Sequence, residues 1–127
     1  MAGTILLYGF EELTDILAVK AAAGPFQAEV KPIWHDGWRT PIGALVGRKT
    51  RPAREGVFSG TLVGRMMIFC DMDAQVDEIL PALRRAGIGP ECYKAVLTAW
   101  NQEWDGIALF AELQKERRAI EEQQRGK

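Results

Sequence analysis

A single histidine, His35, and two cysteines, Cys70 and Cys92, are the only imidazole and thiol ligands that 127 residues offer a metal. No Cys-x-x-Cys or zinc-type spacing occurs, so no metal site is expected and both cysteines read as thiols in a reducing compartment. A basic excess is missing too. The 16 Lys and Arg against 17 Asp and Glu leave a formal charge of −1, which argues against a dedicated nucleic-acid binder. No apolar run approaches the roughly 20 residues that span a bilayer. Thr4 to Phe10 is too short for a secretory leader, lacks a basic flank and runs into Glu11 and Glu12. A soluble, cytoplasmic protein is therefore expected. Gly60-Thr61-Leu62-Val63-Gly64 has neither the Walker lysine nor the dinucleotide-binding spacing, and no cofactor is expected.

What is present comes twice. Trp34-His35-Asp36-Gly37-Trp38 is answered by Trp100-Asn101-Gln102-Glu103-Trp104, and these hold all four tryptophans. Upstream of each pair stand an apolar run, a helical pattern, a glycine and a second apolar run. Ile16-Leu17 and Gly24 recur 63 residues later as Ile79-Leu80 and Gly87, whereas the tryptophan pairs are 66 apart.

The periodicity predicts a strand at Thr4–Tyr8. A helix over Glu11–Ala23 follows, with Leu13, Ile16, Leu17 and Lys20/Ala21 at helical steps, stopped by Gly24-Pro25. A second strand should run from Gln27 to Ile33. Pro32 has no N–H to give a ladder, which places that strand at an edge. Thr40-Pro41 starts a short helix to about Val46. Residues 48–64, with Arg48, Lys49, Arg51, Arg54 and three glycines, read as a connector in which Val57 to Val63 could add a short extended segment.

The second unit opens with a strand at Met66–Cys70. Asp73 is a candidate cap for a helix whose inward stripe is Val76, Ile79, Leu80 and Leu83, with a kink or late start near Asp77 because of Pro81. Gly87 stops it, and Cys92–Thr98 is the matching strand. Asp105 should cap a last helix from Gly106 to about Gln123, with Ile107, Phe110, Leu113 and Ile120 inward and its charged last turns frayed or in solvent.

The expected architecture is thus α+β in a single domain: repeat one at 1–47, connector 48–64, repeat two at 65–113 and a charged helix end at 114–127. The two β-α-β-α units should form a pseudo-duplicated, ferredoxin-like sheet with extra helices, first strands central and second strands outside. Ile5–Tyr8 and Met66–Phe69 are apolar on both alternating faces, so both faces need cover. The two main helices would cover one. The helices after Trp38 and Trp104, or a second subunit, would cover the other.

Several residues could carry chemistry. Each tryptophan pair shares a face and could stack a flat ligand, with His35, Asp36, Thr98 and Asn101 as polar contacts around Trp34, Trp38, Trp100 and Trp104. Packing of the strand-to-helix turn is the preferred reading. His35 beside Asp36 suits a general base, but adjacent residues point apart and no nucleophile neighbours them, so a solvent-facing turn is preferred. Cys70 precedes a helix start, but Asp71 and Asp73 oppose a thiolate, so a buried thiol is preferred. Arg48, Lys49, Arg51 and Arg54 could grip phosphate; with no interleaved aromatics they read better as a solvated linker, and nucleic acid is unlikely as a partner. No catalytic residue is assigned.

Leu45-Val46-Gly47, the glycine-punctuated linker, Met66-Met67-Ile68-Phe69 and above all Ala95-Val96-Leu97-Thr98 followed by Asn101 and Trp104 resemble a family of small bacterial proteins, domain of unknown function 3783. The likeness runs from Ile5 to about Leu113. It implies a bacterial, cytoplasmic protein and transfers no activity or site residue. The favoured expectation is a non-enzymatic α/β binding or regulatory module, with a possible homodimer and a small-molecule or protein partner. The alternatives are a small enzyme with a cleft between the repeats, where Cys70 or His35 reacts and Thr98 and Asn101 position, and weak nucleic-acid binding through 48–54.

Overall fold

The structure, a computed structural model, describes residues 3–50, 62 and 64–125. The expected extended segment at 57–63, together with Arg51 and Arg54, lies largely or wholly outside them. In chain order the elements are β1 (Thr4–Tyr8), α1 (Leu13–Ala23), β2 (Glu29–Ile33), α2 (Ile42–Leu45), β3 (Met66–Cys70), α3 (Val76–Arg85), β4 (Tyr93–Val96) and α4 (Gly106–Arg125).

The strands form one mixed sheet in the order β2-β1-β3-β4. β1 and β3 pair antiparallel at the centre, Thr4 opposite Cys70 and Tyr8 opposite Met66. Each edge strand pairs parallel with the first strand of its own half: Thr4 with Glu29, and Met66 with Tyr93. The first strands are therefore central and the second strands at the edges, as expected. The ferredoxin-like arrangement is not what forms. That topology is a split β-α-β, with a strand of the other unit between the two. Here each β-α-β is unsplit: β2 returns to the flank of β1 and β4 to the flank of β3, while β1 and β3 pair with each other between them.

The ladder explains Pro32. The Glu29 amide donates to Gly3 O in the β1 direction, so by strand alternation Glu29, Lys31 and Ile33 present their amides to β1. Pro32 then falls where an N–H would face solvent, and its lack of one blunts the edge against further pairing.

Both faces of the sheet are covered by the chain itself. On one, Ile5, Leu7, Met67 and Phe69 pack under α1 and α3 through Ile16, Val19, Ile79 and Leu83. On the other, Leu6, Tyr8, Ile68 and Cys70 pack under the segment holding α2 and the start of α4, through Ile42, Leu109 and Phe110. The second face thus has its cover within the monomer, which removes the two-sided strands as a reason for a dimer.

Two helix faces differ from the expectation. In α1 the buried residues are Ile16, Val19 and Ala23. Leu13 and Leu17 point outward at 67% and 53% exposure. Apolar residues surround this helix, so periodicity alone could not choose the inner side. In α4, Ile107, Leu109 and Phe110 are buried but Ile120 is exposed, because the helix continues past the end of its cover. Toward its end the Arg117 guanidinium lies 3.9 Å above the centre of the Tyr93 ring. α3 keeps its expected stripe and runs through Pro81. Asp73 starts a 3-10 turn without a side-chain cap, whereas Asp105 Oδ1 does cap α4, accepting from the Ala108 amide at 2.7 Å.

Candidate functional site

The second tryptophan turn, residues 98–105, leaves the carboxyl end of β4 and is held by its own side chains. Tyr93 donates its amide to Arg65 O just before β3 and Leu97 to Phe69 O on β3, so Val96 and Thr98 show their backbone groups to the outer edge. Asn101 occupies that edge. Its Nδ2 donates to Val96 O at 3.0 Å and its Oδ1 accepts from the Thr98 amide at 2.8 Å, as a neighbouring strand's peptide would. The Thr98 hydroxyl accepts from the amides of Trp100 and Asn101 at 3.2 and 3.1 Å. Asn101 is buried. Thr98 and Asn101, expected to contact a ligand, thus bind their own turn.

What this bracing presents is indole. Trp100 is 85% exposed and Trp104 40%. The Trp104 carbonyl accepts from the Ile42 amide, and the Trp38 carbonyl from the Gly106 amide, so the two turns grip each other across the α2/α4 face. Trp38 packs on that core and donates its ring N–H to Ile33 O at 3.2 Å. Trp34 is 55% exposed. His35 is exposed and lies against Trp38 with ring centres 4.3 Å apart. In each pair the second indole, Trp38 or Trp104, is less exposed than the first, Trp34 or Trp100, and Trp38 packs on the core.

The seven candidate residues lie on two turns that meet at their second indoles, Trp38 and Trp104, while the other five stand toward the outer ends. Trp34 and His35 follow β2, and Trp100 and Asn101 follow β4. Each edge strand is parallel to its central neighbour and the central strands are antiparallel, so the two turns start at opposite ends and opposite edges of the sheet. His35 and Cys70 are separated in the same way, since Cys70 ends β3. The Cys70 thiol is fully buried, and burial pushes it up to about 12, with Asp71 adding and Arg48 opposing. Cys92 is likewise buried and pushed up to about 11 by burial. Neither is a nucleophile near neutral pH. Among the described residues no group of three or more His, Cys, Asp and Glu is placed to hold a metal ion.

Sequence reasoning missed the role of Arg48. It was grouped with a solvated linker, yet its guanidinium reaches Asp71 Oδ1 at 2.6 Å and Gln102 Oε1 at 3.0 Å. It ties the segment after α2 to the ends of β3 and β4. Arg65, unremarked in the sequence, lies 4.9 Å over the Phe10 ring and pairs with both Asp15 and Glu91. The Glu91 carboxyl is held below its ordinary range by its own backbone amide first, then by the Gly89 amide and Arg65. Partners 23 to 54 residues away leave no local sequence signal for either arginine.

The molecule is a small mixed α/β domain with its edges closed by proline and by a buried asparagine. The family model described as Domain of unknown function (DUF3783) matches residues 65–120. The match covers the second β-α-β and most of α4, not the first half that the resemblance had included. No curated protein and no solved structure shows significant similarity to the chain. No helix among the described residues is long and apolar enough to cross a membrane.

Proposed function

We propose that this protein is a non-enzymatic binding module that recognises a protein partner through the braced turn after β4. The observation that carries this reading is Trp100, 85% exposed on a turn whose backbone is fixed by Asn101 and Thr98. Small-molecule sites are concave and enclose most of the ligand. An indole this exposed offers no such enclosure, so the partner must supply the pocket. Rigid tryptophans suit this, because they bury a large area with few rotors to freeze and are enriched among the residues that dominate interface energetics. A regulatory use of such binding is part of the same proposal. The separation of His35 from Cys70, and the raised thiol, speak against the enzymatic alternative.

We also read the two halves as a duplication. Supporting this are the repeated order of elements and the residues that end the central strands: Gly9 and Asp71, 62 positions apart, both have positive φ, 76° and 58°.

The test is partner enrichment with the wild type and Trp100→Ala in parallel, followed by titration of each captured protein. The expected result is a protein bound one-to-one by the wild type and lost with Trp100→Ala, while the melting temperature is unchanged. Binding indifferent to both Trp100 and Trp104 would refute the proposal.

A further inference from the structure

The outer side of α1 carries an apolar strip, whereas the outer side of α3 carries charges at both ends. Leu13, Leu17 and Ala21 stand one turn apart, all exposed, on a helix whose inner side is already filled by Ile16, Val19 and Ala23. Thr14 and Lys20 are the polar residues exposed beside Leu13, Leu17 and Ala21, so the outer side holds an apolar strip one residue wide that nothing in the monomer covers. Beside it, α3 exposes Asp77 and Glu78 in its first turn and Arg84 and Arg85 in its last. The two helices are antiparallel neighbours, since each returns against a central strand and those strands are antiparallel. Gln75 at the start of α3 accordingly reaches Phe26 O just beyond the end of α1.

We infer that the α1/α3 layer docks on the same layer of a second copy, about a two-fold axis running across the middle of both helices. Such an axis sets each helix antiparallel on its own copy. In α1 it opposes Leu17 to Leu17 and Leu13 to Ala21, large to small, so the ridges interdigitate. In α3 it opposes the acidic first turn to the basic last turn of the other copy. One operation thus satisfies both helices: an apolar centre from α1 and an ion-paired rim from α3, the usual anatomy of an isologous interface. The charge order of α3 selects a second copy over an unrelated partner, because a layer with both signs in this order is complementary to itself. The contact is small, so the dimer is a weak one at the low end of interface sizes. The tryptophan turns belong to the opposite face and are not involved, so this inference stands or falls separately from the function proposed above.

The test is sedimentation velocity of the full chain from low micromolar to sub-millimolar concentration. The weight-average mass should rise from 14.1 kDa toward twice that value. Leu17→Glu places two carboxylates together at the axis and should raise the dissociation constant at least about tenfold, while circular dichroism stays native because Leu17 is exposed in the monomer. Glu78→Arg should weaken the dimer, and Glu78→Arg combined with Arg85→Glu should restore it; Trp100→Ala should change nothing. A wild type that is monomeric throughout, or a dimer indifferent to Leu17→Glu, overturns the inference.

Discussion

α1 and α3 occupy matching places, each returning from a central strand onto the same face of the sheet, yet their outer sides are opposites. α3 divides cleanly into an apolar inside and a charged outside. α1 is apolar on both, with Lys20 the one charge in the exposed stretch beyond Leu17. The sheet below makes the same demand of both, so folding alone does not account for the difference. The two halves share the packing that builds a core and differ wherever a side chain leaves it. The same contrast recurs at the strand ends, at the tryptophan turns and beneath α4, and each place can be tested as a pair.

The largest difference is expected where β1 and β3 end. Gly9 and Asp71 share the left-handed conformation, but a side chain on Gly9 would collide with the Gly64 carbonyl, whereas Asp71 extends freely to Arg48. Gly9→Ala combines the left-handed cost, about 1–2 kcal/mol, with overpacking against backbone, about 1–3 kcal/mol, for a loss of roughly 2–5 kcal/mol. Asp71→Gly relieves backbone strain and loses an exposed ion pair, and should change stability by less than about 1 kcal/mol. Urea denaturation of both variants measures the gap; equal losses would mean that the two turns are not equivalents.

The tryptophan turns come next. Asn101 and His35 hold corresponding positions after the first indole. Asn101→Ala leaves Val96 O and the Thr98 amide without their partner, at about 1–3 kcal/mol. His35→Ala removes only an exposed ring contact and should fall within about 0.5 kcal/mol. A costly His35→Ala with a harmless Asn101→Ala would reverse the assignment of which turn is braced.

These two pairs show what was legible beforehand. Strand and helix positions, the edge placement of Pro32 and the cover of both sheet faces follow from periodicity and from what proline cannot do. Those are local or alternating signals, and they survive in one sequence. The strand order did not follow, because it depends on which apolar strands pair, and β1 and β3 carry no mark excluding either partner. The inner side of α1 was illegible for a related reason, since an all-apolar helix has no preferred stripe. Asn101, Thr98, His35 and the tryptophans were visible as unusual residues, but not their partners. Asn101 reads identically in sequence whether its amide meets a ligand or the edge of its own sheet.

Alkaline pH gives a smaller, graded effect that involves mainly the second half, which holds both cysteines. Their ordinary value is 9.0, and in the fold they are pushed up to about 12 and about 11. Below pH 9 both thiols are neutral whether folded or not, and this contribution is fully present. Above it the unfolded thiols ionise first and stability falls until the folded values are passed. The slope is at most about 1.4 kcal/mol per pH unit for each thiol. Melting temperatures from pH about 9 to about 11 should decline in this way, and Cys70→Ala with Cys92→Ala should flatten the decline. An unchanged slope in that double variant would show that other groups, such as tyrosines, set it.

The smallest effect expected runs in the opposite direction, toward stability. Tyr8 ends β1 as Cys70 ends β3, and both point into the core beneath α4. The thiol is at home there, but the Tyr8 hydroxyl is fully buried with no hydrogen-bond partner among the described residues. Its ring lies against Gly106, where any side chain would collide with it, so the ring fixes how closely α4 can approach. The ring therefore serves packing, while the hydroxyl is a desolvated polar group, and burial raises its pKa. Tyr8→Phe keeps the ring and removes the unpaired oxygen, so it should stabilise the fold by up to about 1 kcal/mol. Chemical denaturation measures the shift. A loss of about 1 kcal/mol or more would show that the hydroxyl has a partner after all, an internal water being the simplest. The buried end of β1 would then be a polar site with no counterpart at the end of β3.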